Sequence, residues 1–73
     1  MNKSIYSKDY KKVIEQLKTT RIEIGFTQQE VANKLKRPQS FVSKIESGER
    51  RLDVAEIKEF SAIYKKPIDY FLK

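Results

Sequence analysis

The side chains whose types and spacing suit a shared chemical task lie between Gln39 and Ser47. At about 100° per residue, Ser40, Ser43, Lys44 and Ser47 fall on one arc of a helix, with Gln39 and Phe41 at its two edges. The arc offers hydroxyls, an amide and an ammonium, and it contains no acid. Its chemistry is hydrogen bonding and charge attraction, not bond making. The reagents for bond making are missing elsewhere as well: the chain has no Cys and no His. That excludes zinc fingers, iron–sulfur clusters, disulfide scaffolds, cysteine nucleophiles and imidazole acid–base catalysis. No serine has a plausible base beside it, and acids alternate with bases along helix surfaces. An enzyme is therefore not expected, and neither is a metal, a cofactor or a small-molecule effector.

Charge points to the kind of partner. Sixteen Lys and Arg against ten Asp and Glu give a net +6 over 73 residues, with an isoelectric point near 9.7, so a polyanion is the first partner to consider. The excess is uneven. Residues 1–26 carry six bases and three acids, residues 27–51 again six and three, and residues 52–73 four and four. Taken alone, a basic excess equally describes a solvated surface. The neutral end carries Ile63, Tyr64, Pro67, Ile68, Tyr70, Phe71 and Leu72, an apolar group suited to facing another protein.

The elements that must position these groups are short helices. Two Gly and two Pro are too few breakers for a strand-and-turn protein, and no repeat or low-complexity tract is present. Tyr10, Val13, Ile14, Leu17 and Ile24 form one stripe of a first helix that starts near Ser7 and Asp9 and stops at Gly25. Arg21 lies on the same stripe, so it requires a carboxylate partner in the core. Thr27 and Glu30 form a capping box that opens a second helix at Gln28, about two turns long and ended by Pro38. A third helix begins at Pro38 and ends at Gly48, with Val42 and Ile45 inward. Glu46 projects within about 40° of Val42, which supplies the carboxylate that Arg21 needs. Asp53 and Glu56 repeat the capping box for a fourth helix that buries Ile57, Phe60, Ile63 and Tyr64, and Pro67 opens a short fifth, Ile68 to Leu72.

The fold class expected is all-α: a five-helix bundle in residues 7–73 behind an N-terminal tail, residues 1–6. Met1 to Tyr10 lacks the apolar core of a signal peptide, and no apolar run approaches the roughly 20 residues that cross a bilayer. Lys8, Lys11, Lys12 and Lys18 would let the first helix lie on a membrane, but its apolar stripe is needed to close so small a bundle. A cytoplasmic domain without a membrane partner is expected.

Two short helices joined by a tight turn, the second with a polar basic face, form a helix-turn-helix unit. The run TQQEVANKLKRPQSFVSKIESGERRLDVAEIKEF, Thr27 to Phe60, resembles the phage Cro and repressor type of helix-turn-helix protein, the Xre family. The resemblance extends over nearly all of the chain from about Tyr10. It implies a phage-repressor type of bundle in which Val31, Ala32, Leu35, Val42 and Ile45 are buried, with Ala32 where the two helices cross. Arg21 and Glu46 match a structural ion pair of the family, in agreement with the stripe geometry.

The resemblance also assigns roles. Gln39, Ser40, Ser43 and Lys44 match base-reading positions; Gln pairs bidentately with adenine, Lys reaches guanine O6 and N7, and Ser serves either partner. For Phe41 the helical angle decides instead: about 100° off the buried centre, it is expected at a flanking position that partly packs under the turn and partly touches a thymine methyl. Gln28, Ser47, Arg50 and Arg51 match phosphate-contact positions, and Arg37, which precedes the recognition helix, is expected to join them because basic residues converge on both ends of that helix. The chain departs from the family at Lys36, where the turn usually has Gly, and at Arg37, where an apolar residue is common. A lysine in a left-handed turn position implies strain of roughly 1 kcal/mol or another turn geometry.

The function expected is a sequence-specific DNA-binding transcriptional regulator, a homodimer on a palindromic operator in double-stranded DNA, paired through Ile63, Tyr64, Pro67, Ile68, Tyr70 and Phe71. The alternative is an antitoxin or small adaptor whose main role is protein–protein interaction. An adaptor has no need of an aligned Gln39, Ser43 and Lys44, whereas a regulator depends on them.

Overall fold

The structure, a computed structural model, describes residues 8–72, and five helices follow one another along them: α1 (Lys8–Ile24), α2 (Gln28–Leu35), α3 (Gln39–Glu46), α4 (Val54–Tyr64) and α5 (Ile68–Leu72). The expected start of the first helix at Ser7 and the expected tail, residues 1–6, lie outside the described residues. Local signals set most of the other boundaries. Thr27 Oγ1 accepts from the Glu30 amide at 3.0 Å while the Glu30 carboxylate accepts from the Thr27 amide at 2.7 Å, which satisfies two orphan donors at the start of α2. Asp53 and Glu56 do the same for α4, at 2.8 and 3.1 Å. Gly25 ends α1 with φ at 96°, a conformation that glycine adopts without steric cost.

The turn between α2 and α3 has the strained form. Lys36 sits at φ 60° and ψ 45°, left-handed, and the Arg37 amide reaches back to the Ala32 carbonyl at 2.9 Å. A Cβ in this region costs about 1 kcal/mol relative to glycine. Replacing Lys36 by glycine will therefore raise the urea midpoint, with a gain of about 0.5–1 kcal/mol. An unchanged or lower midpoint would show that the lysine side chain offsets the strain.

The core gathers where α1, α3 and α4 meet. Val31, Ala32, Val42 and Ile45 are fully buried where α2 packs against α3. Val13, Ile14 and Leu17 of α1, Ile57, Phe60 and Tyr64 of α4, and Phe71 of α5 close around them. An aromatic chain runs through the centre: Phe41 stacks on Phe60, Phe60 tilts against Tyr64, and Tyr64 against Phe71. Thr20 Oγ1 and Tyr64 OH are buried without a hydrogen-bond partner among the described residues. Burial pushes the Tyr64 hydroxyl well above the usual tyrosine range, and the Glu46 carboxylate adds to the shift, so it stays neutral.

Two sequence expectations about the core require correction. Ile24 is 42% exposed, because the last turn of α1 ends the stripe at Thr20 and Arg21 instead. Tyr64 and Phe71, expected on a dimer surface, are 2% and 1% exposed and belong to the core, where the apolar side of the fourth helix already placed Tyr64. Helix α5 folds back on α1 and takes Phe71 inward with it. Of that expected surface, Pro67 is exposed and Ile63, Ile68 and Tyr70 are half-buried. Leu72, 54% exposed, lies beside them in sequence.

Candidate nucleic-acid interface

A buried ion pair fixes α3 to α1. Arg21 Nε and Nη2 donate to the two Glu46 oxygens at 2.7 and 3.0 Å, a forked geometry, and Nη1 donates to the Phe26 carbonyl at 2.9 Å. Both side chains are nearly sealed from water, at 12% and 4% exposure. Glu46 holds the guanidinium so firmly that the Arg21 pKa rises despite partial burial. From that carboxylate the hydrogen bonds continue outward. Gln28 Nε2 donates to Glu46 Oε1 at 3.0 Å, and Gln39 Nε2 donates to Gln28 Oε1 at 3.3 Å.

With Glu46 inward, the opposite side of α3 faces solvent. Gln39, Ser40, Lys44 and Ser47 are exposed and Ser43 is half-buried. Ser43 Oγ donates to the Ser40 carbonyl at 3.3 Å and Ser47 Oγ to the Lys44 carbonyl at 3.1 Å, so both hydroxyls keep lone pairs outward. Lys44 has no partner among the described residues. Ser47 Oγ also lies 3.1 Å from the Glu49 carboxylate, an acid at the rim of the arc.

Phe41 is not on this face. It is 8% exposed and stacks on Phe60 with ring centroids 6.4 Å apart and planes 7° from parallel, which makes it a core residue and corrects its expected base contact. The guanidinium carbons of Arg37 and Arg50 lie 4.4 and 4.6 Å from its ring centroid and screen it from water. Arg37 therefore covers the underside of the turn.

Both arginines are also engaged by acids. Arg37 Nη1 lies 3.4 Å from Glu56 Oε2 and Arg37 Nη2 3.3 Å from Glu59, while Arg50 Nη1 lies 3.0 Å from Glu56 Oε1 and 2.8 Å from the Arg51 carbonyl. Of the expected phosphate contacts, Gln28 is bonded to Gln39 at the start of α3, Ser47 caps its end, Arg51 is exposed beyond it, and Arg37 and Arg50 turn toward α4. Burial raises the Glu56 pKa, but hydrogen bonds from Arg50 and from the Asp53 amide outweigh it, and the carboxyl ends below its usual value. Sequence reasoning found Glu56 only as a capping residue. Its second role joins positions far apart in sequence and leaves no local signal.

The family model described as helix-turn-helix matches residues 17–71, which spans α2, the turn and α3 together with the helices that hold them. The chain belongs to the Xre-type helix-turn-helix family. Among solved structures, this Xre-type domain is similar to the crystal structure of the DNA-binding domain of BldD, at a TM-score of 0.79 and 23% identity over 92% of this chain and 97% of that one. That likeness is one of fold. No curated protein matches the sequence. Among the described residues of the Xre-type domain, no helix is long and apolar enough to cross a membrane, and no group of acids is arranged to hold a metal ion.

Proposed function

We propose that this Xre-type domain is a sequence-specific transcriptional regulator that lays α3 in the major groove of double-stranded DNA. The observation that carries this reading is the outward arc of α3, where Gln39, Ser40, Ser43 and Lys44 present donors and acceptors without an acid among them. Gln39 is held at its amide by Gln28, which leaves one Nε2 hydrogen and the oxygen to pair with adenine N7 and N6. Lys44, unpaired, reaches guanine O6 and N7. Gln28, Ser47 and Arg51 contact phosphates on either side, helped by the free amides at the start of α2. Because one small domain buries limited area on DNA, tight binding calls for two copies on a two-fold operator with half-sites about 34 Å apart. Ile63, Pro67, Ile68, Tyr70 and Leu72 form the pairing surface at the charge-neutral end.

Selection of bound sequences from random duplex DNA tests the reading. The wild type will enrich a two-fold motif with half-sites about ten base pairs apart, centre to centre. Gln39→Ala and Lys44→Ala will each flatten one position of each half-site, with a loss of about 1–3 kcal/mol for the preferred base. If the wild type enriches nothing, or both variants enrich the wild-type motif unchanged, the base-reading assignment is wrong. Enrichment of single half-sites without symmetry would remove the homodimer.

A further inference from the structure

Arg37 precedes α3 and Arg50 follows it, the two ends from which a guanidinium can reach the phosphates flanking a groove. In the free protein one carboxylate holds both. Glu56 Oε2 takes Arg37 at 3.4 Å and Glu56 Oε1 takes Arg50 at 3.0 Å. We propose that Glu56 is a specificity-determining residue: by retaining Arg37 and Arg50 at the flank of α3, it withholds two positive charges from the phosphate backbone and limits sequence-independent attraction to DNA. The proposal rests on the reading of α3 as the DNA-facing helix.

Three observations support it. Glu56 cannot follow the arginines outward, since it is 8% exposed and fixed by its reciprocal bonds with Asp53 at 2.8 and 3.1 Å. The arginines are held a second time, by the Phe41 ring 4.4 and 4.6 Å from their guanidinium carbons. Moving either one to a phosphate would uncover Phe41 and leave a nearly buried carboxylate short of a partner. Arg37 has a further tie to Glu59 at 3.3 Å, and Arg50 to the Arg51 carbonyl at 2.8 Å.

The consequence lies in how charge contributes to binding. Each phosphate neutralised by a protein cation adds about 0.9 to the slope of log affinity against log salt, and this contribution is nearly blind to sequence. Base-edge contacts carry the discrimination. Two cations withheld therefore lower binding to random duplex more than they lower the advantage of the cognate site.

The test measures affinity for the selected operator and for a random-sequence duplex over a range of salt. Glu56→Gln keeps an acceptor oxygen at a capping-box position that glutamine also serves, so the start of α4 is retained. This variant will steepen the salt slope by about 1–2, raise affinity for random duplex roughly tenfold at low salt and narrow the ratio between operator and random duplex. Arg37→Gln and Arg50→Gln, made singly in the wild type, will leave the slope unchanged. In a protein carrying both arginine substitutions, adding Glu56→Gln will have no effect on the slope.

The proposal is overturned if either single arginine variant loses about one unit of slope, since that arginine would already be on a phosphate. A folded Glu56→Gln protein with the wild-type slope overturns it as well. Should that variant fail to fold, the slopes of the two arginine variants decide. A wild-type protein that binds neither duplex removes the DNA-binding reading and this proposal together, whereas normal wild-type binding with either adverse slope removes only the role of Glu56.

Discussion

Replacing Glu46 by alanine will destabilise the domain by about 3 kcal/mol or more, the largest effect expected of any single charge removal in the chain. The substitution leaves the Arg21 guanidinium at 12% exposure with only the Phe26 carbonyl to accept from it, and it also strips Gln28 Nε2 of its acceptor. A domain of 73 residues has a total stability of about 4–11 kcal/mol at the usual stability per residue, so at the lower bound a loss of about 3 kcal/mol leaves roughly 1 kcal/mol and about one molecule in six unfolded. The effect belongs to the orphaned charge more than to the pair. Replacing both partners, Arg21→Met with Glu46→Leu, will recover most of the loss, because neither charge then remains in the core. Urea unfolding of Arg21→Met, Glu46→Leu and the double that combines them gives the coupling energy directly. If the double is as unstable as Glu46→Ala, packing and not charge explains the loss.

Phe60→Ala has an effect of comparable size for a different reason. Phe60 is 1% exposed, stacks on Phe41 and tilts against Tyr64 with centroids 5.9 Å apart. Truncation removes the ring at the junction of α3 and α4 and leaves a cavity under the helix that carries the polar arc. The cost is about 3–5 kcal/mol. Phe60→Leu will cost much less, under about 2 kcal/mol, since most of the volume remains. A loss below about 1 kcal/mol for the alanine variant would mean that the aromatic chain re-forms around the gap. Thermal unfolding by circular dichroism separates the cases.

The parts of this structure that the sequence declares are the local ones. Thr27 with Glu30 and Asp53 with Glu56 mark helix starts because a capping box needs only four consecutive residues. Periodicity extended this reach once: Arg21 on an apolar stripe and Glu46 beside Val42 had to meet. Phe41, Tyr64 and Phe71 were harder to place. An aromatic at the edge of a helical arc is compatible with either side until the helix beneath it is known, and α4 supplies Phe60 on the inner one. Helix α5 is too short to declare an inner face by period, and its return onto α1 decides that Phe71 is covered. The candidate site divides the same way. Its outward arc follows from period alone, whereas the capture of Arg37 and Arg50 by Glu56 depends on how α4 sits against the turn.

The line from Arg21 through Glu46 and Gln28 to Gln39 has a bearing on how such a protein changes its target. In the proposed reading of α3, the glutamine assigned to a base is aimed through two intervening side chains by an arginine on another helix. In that reading, drift at this arginine shifts operator preference without any edit to the residues proposed to contact bases, so part of the proposed recognition code lies in the foundations of the fold.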